Sequence, residues 1–134
     1  MQEYSKIILK IPQPYLDLIN QVFEIEKKVS QLHEQNSIQR NLNRIKGLIE
    51  EDLFKGKDEA TSFGISYHNP LNEEFNDTRT DCEASIAGSV TDDLEITEVI
   101  KPIIYYSYFD SGKPMKGIAQ KGVVVVQSKN RKTN

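Results

Sequence analysis

Two hydrophobic periods divide this chain, and the change falls near Gly56. Upstream, Tyr15, Leu18, Val22, Ile25, Val29 and Leu32 recur at the three-four spacing of an a/d heptad seam. Leu16, Ile19 and Phe23 add a flanking stripe, so the apolar face is wider than a two-stranded seam and suits a helical bundle. Pro12 and Pro14 stand just before the seam, where proline is tolerated at a helix start. Asp17, Glu24, Glu26, Lys27 and Lys28 fill the remaining faces and read as solvated surface. The pattern then loses phase across His33 to Ser37 and resumes with Ile38, Leu42, Ile45, Ile49 and Leu53. Two arrangements fit this break. Ser37 caps a second helix, giving an antiparallel helical hairpin, or one long helix runs through as a rod that dimerises. Lys55-Gly56-Lys57, a glycine among cations, closes the helical region.

Downstream the period is two. Phe63 to Tyr67 alternates, and His68-Asn69-Pro70-Leu71-Asn72 is turn chemistry. Cys82, Ala84 and Ile86 alternate with Glu83, Ser85 and Ala87 as a half-buried strand, and Gly88 to Asp93 is a turn. Leu94 to Phe109 is strongly strand-forming, but its Pro102 requires an edge, a bulge or a break in pairing. Asp110 to Pro114 is a loop, and Ile118 to Gln127 is the last strand. Its unbroken Val123-Val124-Val125-Val126 predicts cover on both faces. The last two strands pair as a hairpin. The expected class is therefore α+β. Amphipathic helices in residues 1–56, a dimerisation or docking region, precede a small, mostly antiparallel β-domain of about four strands in residues 57–134.

Bulk properties narrow the function. A chain of 134 residues has room for one core of moderate size. The net charge of −3 argues against a general nucleic-acid binder, which needs a basic surface. The short basic tail, Ser128 to Asn134, reads as a frayed end. A single cysteine rules out an internal disulfide and a cysteine-rich zinc site. Ile7-Ile8-Leu9, held between Lys6 and Lys10, is too short for the apolar stretch of a signal peptide, and no run approaches a membrane span, so the expected setting is cytoplasmic.

No catalytic motif stands out. Cys82 with His68 is the one nucleophile-base pair to consider, but a cysteine alternating with Ala84 and Ile86 reads as a small core residue. Asp77 to Asp81 lacks the glycine turn and terminal glutamate of a calcium loop, and the glycines at 112, 117 and 122 precede no helix that could hold a phosphate. The expectation is a non-enzyme with no cofactor and no metal. Arg79 lies among Asp77, Asp81 and Glu83. It reads as an internal ion pair holding a loop, or as an interface anchor. Of Tyr105 and Tyr106, successive residues on a strand, at least one faces away from the core, next to Lys101 and Lys113.

The order of elements, and two short motifs, resemble the GrpE family of nucleotide exchange factors. Asn72-Glu73-Glu74-Phe75 followed by Cys82-Glu83-Ala84 is similar to the family's phenylalanine, polar stretch and Glu-Ala pair. Ile96-Thr97-Glu98-Val99, then Ala119 to Val126, follows its Val-x-x-Val strand and terminal valine strand. Cys82 stands where the family has a histidine, and Gln120-Lys121 replaces its Arg-Pro. The resemblance implies a cytoplasmic adaptor that binds the nucleotide-binding domain of a DnaK-type ATPase and promotes ADP release, dimerising through its helices. Its expected partner contacts here are Arg79, Glu83, Lys101, Lys121 and Tyr106. The alternative is a structural interaction module, a scaffold subunit of a larger assembly.

Overall fold

The computed structural model describes residues 11–32 and 37–130. The two amphipathic stretches form α1 (Gln13–Ser30) and α2 (Ile38–Gly47), and α2 runs into a π-helical turn over Leu48–Asp52. The chain is thus α+β, with two helices leading into β-structure. The expectations on Ile7 to Leu9, His33 and the tail beyond Asn130 fall outside the described residues. Among the described residues no helix is long and apolar enough to cross a membrane.

Seven strands follow among the described residues: β1 (Phe63–His68), β2 (Glu74–Phe75), β3 (Cys82–Ile86), β4 (Leu94–Lys101), β5 (Ile103–Asp110), β6 (Lys113–Gln120) and β7 (Gly122–Ser128). They make a three-stranded sheet, β1-β5-β6, and a four-stranded sheet, β2-β4-β7-β3. The expected four strands become seven chiefly because the two long ones are each divided. Pro102, which has no N–H to give a ladder, separates β4 from β5, and Lys121 separates β6 from β7. The hairpin between the two long stretches is present. It is one antiparallel ribbon whose near half (β5-β6) belongs to the first sheet and whose far half (β4-β7) belongs to the second. Its tip is a two-residue turn with positive φ at Ser111 (53°) and Gly112 (79°), the primed geometry that matches strand twist. All pairings are antiparallel except β3 with β7.

Two cores sit between helices and sheets, and α1 contributes to both. Phe23 packs with Cys82, Leu94, Ile96, Val99, Ile103, Val124 and Val126 over the four-stranded sheet. Leu16 and Ile19 pack with Ile49, Ile65 and Ile104 over the three-stranded one. The π turn presses close to β1. A Cβ on Gly64 would lie 1.9 Å from the Glu50 carbonyl oxygen, so only glycine permits this approach.

Three burial expectations are corrected. Val124 and Val126 are buried but Val123 and Val125 are half-buried, because β7 has a core on one face only. Ala84 and Ile86 are exposed, because β3 is an edge strand that the helical cover does not reach; only Cys82 is buried. The side of α1 that meets the cores is the flanking stripe, Leu16, Ile19 and Phe23, with Val22. Leu18, Ile25 and Leu32 of the heptad seam turn outward, Val29 is half-buried, and Tyr15 packs on Phe54.

Candidate functional site

The loop between β2 and β3 builds an ion-paired network from short-range geometry. The Asn76 side-chain oxygen accepts the Thr78 N–H at 3.0 Å, and the Asn76 carbonyl accepts the Arg79 N–H at 3.0 Å. This turn brings the Arg79 side chain back under the loop. There its Nε donates to Asp81 Oδ1 at 2.7 Å, Nη1 to the Glu74 carbonyl at 3.0 Å, and Nη2 to Glu73 Oε1 at 2.8 Å. The other Glu73 oxygen meets His68 Nε2 at 2.5 Å. Desolvation pushes both carboxyls up, but the bonds from Arg79, joined at Glu73 by His68, outweigh it and hold Glu73 and Asp81 below their ordinary range. Desolvation likewise opposes the Arg79 charge, and its bonds to Asp81 and Glu73 hold the guanidinium firmly protonated.

This network occupies the groups that a catalytic reading would use. His68, at the end of β1, faces Glu73. Cys82 is buried, and burial followed by the neighbouring Asp81 pushes its thiol up to about 11, so little thiolate exists at neutral pH. Among the described residues no three His, Cys, Asp or Glu side chains gather as a metal would require.

The expected contact residues divide into separate groups. Glu83 and Lys101 are both register partners of Val123, so they stand side by side across β3-β7-β4, about 10 Å apart at two strand spacings. Lys121 lies two residues before Val123 and joins this group. Arg79 belongs to the loop network. Tyr106 is on the other sheet, where its ring lies across Gly117 and stacks on Tyr108 at 5.4 Å. The cation near these aromatic residues is neither Lys101 nor Lys113. It is Lys116, 4.2 Å from the centroid of Tyr105, because β6 pairs Ile118 and Lys116 with Tyr105 and Ser107.

Two further features involve the helices. Glu26 of α1 is the meeting point of helix and sheet. It accepts from Lys46 at 3.2 Å and Gln39 at 3.0 Å, and from the Tyr67 hydroxyl. Desolvation raises Glu26, yet these bonds hold it below its ordinary value, while burial and then Glu26 push Tyr67 well above the tyrosine range. Lys46 also sits 5.0 Å from the Tyr67 ring centroid. Beside this hub a cleft of about 480 Å³ opens between Lys46, Ile49, Tyr67, Tyr105 and Lys116. Helical spacing alone does not separate Glu26 from its solvated neighbours, so the sequence carried no signal for it.

The second feature is the outer helical surface. Leu18, Ile25 and Leu32, at seven-residue intervals, are 57%, 46% and 53% exposed. Ile38 and Ile45 of α2, also seven apart, are exposed beside the buried Leu42. Of the heptad seam read from the sequence, the row Leu18, Ile25 and Leu32 is therefore uncovered, while Val22 is buried and Tyr15 packs on Phe54. Comparison of the chain with protein-family models, with curated proteins and with solved structures found no match.

Proposed function

We propose that this protein is a non-catalytic, cytoplasmic interaction module whose outer helical surface docks a second copy of the same chain. The observation that carries this is the exposed heptad stripe. Single exposed apolar residues are ordinary on a protein surface, but aliphatic residues repeated every seventh position on two touching helices are the pattern of a helix-packing seam. In this reading α1 and α2 act as an antiparallel pair, joined through Glu26, and two such pairs form a four-helix layer. Light scattering after gel filtration tests it. The parent chain should elute as a dimer, and Ile25→Glu as a folded monomer with unchanged circular dichroism. A monomeric parent chain would sink the reading.

A second reading, exchange of nucleotide on a DnaK-type ATPase, is favoured by one observation: Glu83, Lys101 and Lys121 share one surface of the four-stranded sheet. An exchange factor works by binding the open, weakly ADP-holding state better than the closed one, and such a surface would supply the differential contacts. The release rate of a fluorescent ADP analogue from such an ATPase decides it. Acceleration that Lys101→Glu abolishes supports exchange; unchanged release in the presence of the parent protein rejects it.

A further inference from the structure

Among the described residues four strand edges close the two sheets, and three of them are blunted against further pairing. The outer edge of β1 is already engaged where it begins, since the Phe63 N–H is given to the Phe54 carbonyl at 3.2 Å, and the π turn packs over the face beside it at Gly64. β2 is two residues long, and on the part of β4 that extends beyond it Lys27 Nζ donates to the Val99 carbonyl at 3.2 Å. β6 carries Lys113, Pro114 and Lys116, the charges and the proline that keep an edge from accepting another strand. The fourth edge, β3, has one exposed charge, Glu83, and none of the other devices. Cys82-Glu83-Ala84-Ser85-Ile86 contains no lysine, proline or glycine, and its last four residues are exposed.

The hydrogen bonding of β3 shows which groups are open. Gly122 N–H donates to the Asp81 carbonyl at 2.9 Å, and Ala87 N–H donates to the Val126 carbonyl at 2.8 Å. In a parallel ladder these bonds repeat at every second residue, so Asp81, Glu83, Ser85 and Ala87 face β7. The backbone N–H and C=O groups of Cys82, Ala84 and Ile86 then point away from the sheet. Ala84 and Ile86 also leave apolar side chains uncovered there, Ile86 by 48%.

Charge selects the occupant. No lysine lies between Lys57 and Lys101, and the one arginine in that interval, Arg79, is bonded to Glu73 and Asp81. Asp81 and Glu83 stand at the start of β3, and Asp92 and Asp93 lie in the turn that follows it. Of the lysines near it, Lys101 lies on β4 and Lys121 at the head of β7, behind the edge, and Lys129, whose N–H bonds the Asp93 carbonyl, gives its ammonium to Glu74 at 3.3 Å. A second copy adding its own β3 antiparallel about Ala84 would bring a second Glu83 diagonally beside the first and add no cation to either, which is unfavourable. We infer that β3 is a strand-addition site for an extended basic peptide. Apolar residues of that peptide lie beside Ala84 and Ile86, and the lysines or arginines between them lie beside Glu83. Main-chain bonds supply the affinity and the alternation supplies the selectivity. This surface is separate from the helical stripe, and its test does not depend on the oligomeric state.

The probe is a fluorescein-labelled eight-residue peptide of alternating lysine and valine, titrated with the full chain by fluorescence anisotropy. It should bind, and a peptide of the same composition with lysines and valines in two blocks should bind about tenfold more weakly or worse. Equal binding of the two would reduce the contact to bulk charge and overturn the proposal, as would no binding at all. Ala84→Pro removes an outward N–H and leaves the β7 ladder intact, so the folded variant should lose about tenfold or more in affinity. A peptide N-methylated on the alternate residues that bond Ala84 gives the same readout without altering the protein, and undiminished binding of it refutes strand addition. Glu83→Lys should weaken the basic peptide; unchanged affinity would overturn the assigned role of charge.

Discussion

Replacing Arg79 with methionine keeps an apolar stem of similar length and removes the guanidinium, which separates the network's contribution from packing. Three hydrogen bonds are lost, two of them to carboxylates. A fully buried charged bond is worth about 1.5–3 kcal/mol, and an exposed ion pair about 0–1. This site lies between, since the Arg79 side chain is 19% exposed while Glu73 and Asp81 are 37% and 25% exposed. After discounting for solvent screening, the expected loss is about 1–3 kcal/mol for the whole network. At about 4 °C per kcal/mol for a domain of this size, the midpoint of thermal unfolding should fall by about 4–12 °C. The pH dependence has a fixed sign. Glu73 and Asp81 titrate lower in the folded state, so their contribution is present above the ordinary values of 4.5 and 3.8 and is lost as the pH falls through the depressed folded values. The gap between parent and variant should therefore be full at pH 7 and close toward pH 2. Urea unfolding at several pH values measures it. A loss under about 0.5 kcal/mol at pH 7 would refute the structural role of Arg79, and a gap as large at pH 2 as at pH 7 would refute its carboxylate pairing, since only the bond to the Glu74 carbonyl does not titrate. A variant that melts like the parent yet loses a partner would instead make Arg79 an interface anchor.

Gly64→Ala should cost about 1–3 kcal/mol or more, seen in urea unfolding, because its Cβ meets the backbone of Glu50 rather than a side chain that can swing away. A neutral result would mean that the π turn does not press on β1 as described. Tyr67 and Cys82 titrate higher folded than unfolded, so their contributions are full below the ordinary values of 10.0 and 9.0 and disappear as the pH rises. Stability should thus decline above about pH 9. Cys82→Ala should lessen the part of that decline between pH 9 and the folded thiol value of about 11, as followed by thermal melts across pH 8 to 11.

The residues themselves determined the α+β order, the two helical stretches and the strand-forming stretch from Leu94. These follow from period, proline and glycine, which act over a few residues. Pro102 even marked the point where the ribbon passes from one sheet to the other. The return strand, however, begins at Lys113, inside the expected loop, because the turn takes only Ser111 and Gly112. The seam on α1 was also legible, but its role was not. Spacing shows which residues share a helix face, and only the packing of Leu16, Ile19 and Phe23 against the sheets shows which face is spent and which is left open. The same limit explains β3. Alternation made Ala84 and Ile86 look half-buried, while the non-local pairing with β7 placed them at an edge beyond the helical cover. Glu26 with Tyr67, and Arg79 with Glu73, are joined across sequence separations or loop turns that no local pattern encodes. Period fixes a side chain's direction relative to its own strand or helix. What lies in that direction is decided by contacts between residues far apart in the chain, and those exist only once the chain has folded.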